Sequence, residues 1–239
     1  MISMENILNL ERQLYDAKIK IASKYDILEN IRIELDRLYR DDFAKYEEIK
    51  ASLKDNTWDA LENSWKLWDP SPNEKNGEGE WIGENKMTFR LNECSKHYNE
   101  CLQRNFVQCT YDEHGGPNFD SVTFPGSIVD VTELYEEFSA EKIKKRGGCK
   151  NSLQERAQSI MSEQLSDVVR MWAQNKNKKY DSYVSFYEWR DENDLLPHED
   201  TNCRTMRLVD RTIHDVFTHR GGVANVVNIK THFNKTDDE

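Results

Sequence analysis

From Ile7 to Trp68 the chain carries neither proline nor glycine, and apolar residues recur at alternating three- and four-residue steps. Ile7, Leu10, Leu14, Ala17, Ile21, Leu28, Ile31, Leu35 and Leu38 fit a heptad seam that Lys24 interrupts, with charged residues filling much of the remainder. This spacing predicts one or two long amphipathic helices. The run Asp69-Pro-Ser-Pro-Asn73, followed by Gly77 and Gly79, breaks it. A second helical spacing, Met87, Leu91, Cys94, Tyr98 and Leu102, extends from about Glu84 to Phe106. Neither stripe can bury itself alone, so the pattern predicts an antiparallel, coiled-coil-like helical hairpin over residues 1–107.

The texture changes after Cys109. Tyr111–Phe119 is turn-rich, and Ser121–Phe124 and Ile128–Val131 read as short strands. Ser152-Leu-Gln-Glu155 is a capping box opening a helix to about Gln174, and a short helix fits Ser182–Glu192. The tail places Leu195–Asp200 ahead of a strand-like run, Thr205–Val209. A helix over Asp210–Arg220 follows, stopped by Gly221-Gly222. The expected fold is therefore mainly α with a small α+β part: the hairpin, then a ββα unit within residues 108–239.

Composition narrows the class. The chain has 239 residues, with 33 Lys and Arg against 44 Asp and Glu, a net charge of −11. That argues against a generic coat for nucleic acid or anionic membranes. The acidity is uneven: residues 141–239 carry 17 basic and 16 acidic side chains, residues 1–140 carry 16 and 28. A polyanionic substrate thus remains compatible with the second half. No apolar run approaches the roughly 20 residues of a spanning helix, and the N-terminus lacks the features of a cleaved export signal. Five cysteines are odd in number and too sparse for a disulfide scaffold. Cys94, His97, Cys101 and Cys109 match no common zinc spacing, and packing of the cysteines as small hydrophobes is the favoured reading.

The tail holds His198, His214 and His219, and this layout suits phosphodiester hydrolysis. Attack by water needs a base to take a proton and a cation to stabilise charge on phosphate and leaving oxygen. A hairpin-plus-helix can set one imidazole on a strand and others on the helix around one divalent ion. Glu199 and Asp200 can ligate, act as base, or orient an imidazole, and Arg204, Arg207, Arg211 and Arg220 can hold phosphates. Helical histidines five apart lie about 140° around the helix, so they do not share a face. Plain structural roles also fit: His219 as a cation at a helix C-terminus, His214 as a packing residue, His198 as a loop residue.

Met206-Arg-Leu-Val-Asp-Arg-Thr-Ile-His214, then His219-Arg-Gly-Gly222, resembles the close of the xHH nucleases of the HNH/endonuclease VII superfamily, toxin tips of bacterial polymorphic toxins. Tyr111-Asp-Glu-x-Gly-x-Pro-x-Phe119 is similar to the start of such domains in LXG-type toxins. Trp81-Ile82-Gly83, placed at a helical bend, resembles the Trp-x-Gly of WXG100-like and LXG-like type VII secretion modules.

These resemblances imply a ββα-metal, HNH-like nuclease domain over residues 108–239 behind a secretion module over 1–107. They imply one divalent metal ion (Mg, Mn, Ni or Zn) on His198, His214 and His219, with His198, Glu199 and His214 catalytic. The substrate would be DNA, with RNA as the alternative. The expected partners are a cognate immunity protein and a small helical secretion partner, and the protein would leave its producer without a cleaved signal to act in a target cell. One departure matters: the family's His-His pair is here Pro197-His198-Glu199, which puts Glu199 where the base should be. A non-catalytic helical interaction protein carrying a degenerate HNH-like domain is the alternative reading.

Overall fold

A computed structural model of the chain describes residues 4–67, 78–83, 87–112, 115–138, 153–217 and 222–233. Helices dominate, with two small antiparallel sheets.

The N-terminal seam forms four helices rather than one or two: α1 (Met4–Leu14), α2 (Ile21–Asp41), α3 (Phe43–Ser52) and α4 (Asp55–Leu67). Side chains make the breaks that proline and glycine do not. Asp16 accepts from the Lys18 amide at 2.9 Å in the first turn, and Asp42 caps α3 by accepting from the Lys45 amide at 3.1 Å. Glu11 of α1 accepts from the Lys54 amide at 2.6 Å, at the start of α4. Such caps satisfy amides that have no partner within the helix. The seam itself holds: Ile7, Leu14, Ile21, Leu28, Ile31, Leu35 and Leu38 are buried. Lys24 is buried with them, its ammonium donating to the Phe233 carbonyl at 3.3 Å.

The expected second helix of the hairpin is not formed. The described residues 87–106 instead supply β2 (Thr88–Leu91) and the short α5 (Tyr98–Gln103). β1 (Gly79–Ile82) and β3 (Gln108–Thr110) flank them in an antiparallel sheet of order β1-β2-β3. Trp81 pairs with Phe89 and Phe89 with Cys109, so Trp81 and Ile82 lie on a strand and not at a helical bend. Gly83 has φ +87° just past the strand, where a side chain would be strained. Period-two alternation has overridden the helical spacing: Phe89, Leu91, Cys109 and Tyr111 are buried while Arg90 and Gln108 face out.

The second sheet has the order β4-β6-β5, from β4 (Val129–Asp130), β5 (Leu195–Glu199) and β6 (Thr205–Asp210). Of the strand expected over 121–124, only an isolated bridge between Thr123 and Val209 forms, after a 3-10 turn at Asp120–Val122. The remaining helices are α6 (Thr132–Glu137), α7 (Leu153–Gln164), α8 (Ser166–Asn175), α9 (Ser182–Glu192), α10 (Arg211–Val216) and α11 (Gly222–Phe233). The one helix expected to Gln174 is two, divided at Leu165, and its capping Ser152 lies outside the described residues.

Two hydrophobic clusters hold the chain. The larger joins α1–α4 to α6, α7, α9, β5, β6 and α11 through residues from Ile7 to Phe233. The smaller joins the first sheet to Phe119, Val209, Ile213 and Phe217. Both clusters therefore draw on residues from either side of the boundary expected at 107/108. Arg204 of the β5–β6 hairpin donates to the Ala22 carbonyl and the Asp26 carboxylate of α2, a further link across it.

Candidate active site

β5, β6 and α10 follow one another as an antiparallel hairpin and a helix, so the order expected for the tail is formed. His198 pairs with Arg207 across the hairpin, and Glu199 with Met206. Directly paired residues share a face and neighbours along a strand alternate. His198 and Arg207 thus face one side. Glu199 faces the other, where Met206 and Leu208 enter the larger core. Asp210 caps α10 by accepting from the Ile213 amide at 3.1 Å and is itself held by Arg104 at 2.8 Å. Ile213 and Phe217 then pack into the smaller cluster, and His214, one residue on from Ile213, turns toward the hairpin.

The result is a histidine pair. The His198 and His214 rings lie with centroids 5.7 Å apart at 75°. The Phe119 ring packs on both, 5.0 Å from His198 and 6.1 Å from His214. His198 is 1% exposed; His214 is half-buried, its Nδ1 3.6 Å from Asp215 Oδ1.

A cleft of about 410 Å³ opens beside the pair, between the loop that follows β3 and the turn that joins β5 to β6. His198, Phe119, Asp112, Asp120, Asp200 and Arg207 are among the residues lining it. Asp112 accepts from the Gly116 amide and the Thr201 hydroxyl, each at 2.7 Å, and so ties the loop to the turn. A Cβ on Gly116 would sit 2.5 Å from both Asp112 Oδ2 and Thr201 Oγ1, so glycine permits that closure. Arg207 reaches Asp200 through Nε, 3.0 Å from Oδ1, and Asp120 through Nη1 at 2.6 Å. Burial pushes the Asp200 carboxyl up, against the Thr205 hydroxyl and the Arg207 guanidinium, which pull it down. Burial alone would lower the Arg207 pKa, yet the two carboxylates raise it. Arg207 is thereby fixed as a cation.

The expected site residues separate into groups. His198 and His214 come together, and Asp200 joins His198, with Oδ1 3.6 Å from His198 Nε2. Glu199 does not join them: it accepts from Gln154 Nε2 at 3.1 Å on the opposite face of the hairpin. Of the arginines expected on phosphates, Arg207 alone among the described ones lines the cleft. Arg204 is committed to α2, and Arg211 to Asp194 at 2.9 Å and Asp191 at 3.2 Å. His219 and Arg220 lie outside the described residues. Asp112 and Asp120 entered the site unheralded; their only signal was their place within and just after the Tyr111–Phe119 segment. Cys101 and Cys109 pack in the smaller cluster as expected, whereas Cys94 is exposed.

Two imidazoles bound to one tetrahedral zinc have centroids about 5 Å apart, and the His198 and His214 centroids stand at 5.7 Å. Among the described residues no group of three His, Cys, Asp or Glu side chains stands ready to close around a metal. No helix among them is long and apolar enough to cross a membrane. No family model, curated protein or solved structure matches the chain.

Proposed function

We propose that the protein is a metal-dependent endonuclease of the ββα-metal kind, hydrolysing phosphodiester bonds at the cleft beside His198 and His214. The observation that carries this reading is the meeting of those two rings, one on the hairpin and one on the helix, with His198 lining a cleft that Arg207 and Asp200 also line. His198 and His214 would hold the ion, with His219 as the further ligand. Imidazole donors suit zinc, nickel or other late transition metals better than magnesium. Such an ion supplies charge stabilisation to phosphate and lowers the pKa of a bound water. The chain's own residues do the rest: Phe119 packs against both rings, and Arg207 supplies a cation to the cleft lining, held there between Asp200 and Asp120.

The toxin role and the immunity partner belong to the same proposal and rest on the resemblance of the tail. Type VII export and a helical secretion partner rest on the resemblance of Trp81-Ile82-Gly83, which is weakened, since Trp81 sits on a strand. A second reading, a non-catalytic interaction protein, draws support from the arginines. Arg204, Arg207 and Arg211 are each held by carboxylates, which leaves less positive charge for a polyanion than the sequence suggests.

Incubation with supercoiled plasmid and with a structured RNA separates the two. Magnesium, manganese, nickel and zinc are titrated against an EDTA control, with His214→Ala as the variant. Cleavage that needs a metal and is lost in the variant is expected. Intact substrates in every metal, with folded protein, would leave the interaction reading in place.

A further inference from the structure

Of the three aspartates lining the cleft with His198, Asp200 approaches the imidazole, and it is held from several sides. Its side chain is 14% exposed. Oδ1 lies 3.0 Å from Arg207 Nε and 3.6 Å from His198 Nε2, and Oδ2 accepts from the Thr205 hydroxyl and from Arg207 Nε at 3.1 Å. The backbone is fixed as well. The Asp200 amide donates to the Thr205 carbonyl at 3.0 Å, closing the hairpin turn. The Asp200 carbonyl abuts Gly222 so closely that a Cβ there would be 2.0 Å from its oxygen. The carboxylate is thus held by groups other than the imidazole.

We propose that Asp200 is a positioning residue, which holds the His198 proton on Nε2 and leaves Nδ1 as the ring's lone-pair nitrogen. An ionised carboxylate only accepts, so a neutral ring beside it keeps its N–H on the facing nitrogen. The 3.6 Å separation exceeds a hydrogen bond but is an electrostatic contact in a poorly solvated place, where water screens it less than at the surface. Arg207 and Thr205 act through Asp200: they fix the oxygen against which the ring is set. The ring assignment stands by itself. Its consequence for metal affinity rests on the function proposed above, because a ligand held in one tautomer binds without reorganising.

The test is nitrogen-15 NMR of the histidine rings in the full-length protein with EDTA, where no metal can intervene. In the wild type His198 should show one neutral tautomer with the proton on Nε2. In Asp200→Asn, folded by circular dichroism, the Nε2 and Nδ1 resonances should move toward each other or exchange order. The same direction is expected in Arg207→Lys, which removes the fork that holds the carboxylate and serves if Asp200→Asn does not fold. A His198 pattern unchanged in a folded variant would overturn the assignment.

Zinc titration then reads the consequence, with Asp200→Asn expected to bind roughly ten- to a hundredfold more weakly. If wild type binds no zinc while the resonances shift as expected, the metal reading fails and the positioning role stands. If zinc binds and the resonances do not shift, the positioning role fails alone.

Discussion

His198 and His214 owe their closeness to two periodicities that meet at one place. Period two along β5 sets His198 opposite Arg207 on the cleft face, and the capped first turn of α10 sets the His214 ring 5.7 Å from that of His198. The same alternation sends Glu199 away, to Gln154. Glu199→Gln should therefore leave zinc affinity within about twofold of wild type, the range of a change that touches no special feature. Titration calorimetry checks this, and a loss comparable to that of His214→Ala would put Glu199 back beside the ion. This distinction was within reach of the sequence once residues 195–199 are taken as a strand, because then Asp200 and not Glu199 follows His198 in phase. Taking His198 as a residue ahead of the strand hid it. Asp112 and Asp120 were legible only by their place within and just after the Tyr111–Phe119 segment: their approach to the hairpin depends on the path of the loop after β3.

At the scale of elements, local chemistry decided what periodicity could not. The proline- and glycine-free run from Ile7 onward was readable as helix, but its division at Asp16 and Asp42 depends on side chains that cap as well as they solvate. Met87, Leu91, Cys94, Tyr98 and Leu102 mimic a helical stripe. The alternation around Phe89 prevails because both neighbouring strands pair with it. The start of α11 shows how closely elements fit around the site: Gly222 lies on the Asp200 carbonyl, and Asn225 Nδ2 donates to the Thr201 carbonyl at 3.0 Å. Gly222→Ala would drive a methyl into backbone that cannot swing aside. Overpacking of this kind should lower stability by about 1–3 kcal/mol, read as a lower urea midpoint. A midpoint equal to wild type would show that α11 is free to move off the hairpin.

The whole molecule is organised around α2 and α11 more than around a division into front and back. Ile21, Ile31, Leu35 and Leu61 share a core with Leu134, Val226 and Ile229. Burial of each such side chain is worth about 1.5–3 kcal/mol, and several together rival the roughly 5–15 kcal/mol that stabilises an ordinary domain. Residues 108–239 alone should therefore not give a cooperative unfolding transition, though a chain of that length has enough residues for a domain. Circular dichroism during thermal or urea unfolding checks this. A sharp transition matching that of the full chain would restore the boundary at 107/108. The uneven charge was legible from composition, but its use was not: part of the acidic front is spent on the back, as Asp26 pairs with Arg204.

That His198 and His214 hold one divalent ion is tested most directly by titrating cobalt(II) into the metal-free protein and following its visible absorption. Histidine ligation in a low-coordinate site should give an intense spectrum that saturates at one ion per chain, is displaced by zinc, and is lost in His214→Ala while the fold persists. A wild-type spectrum no different from cobalt in buffer would contradict the metal site, and the cleft would then have to be explained as a surface for binding alone.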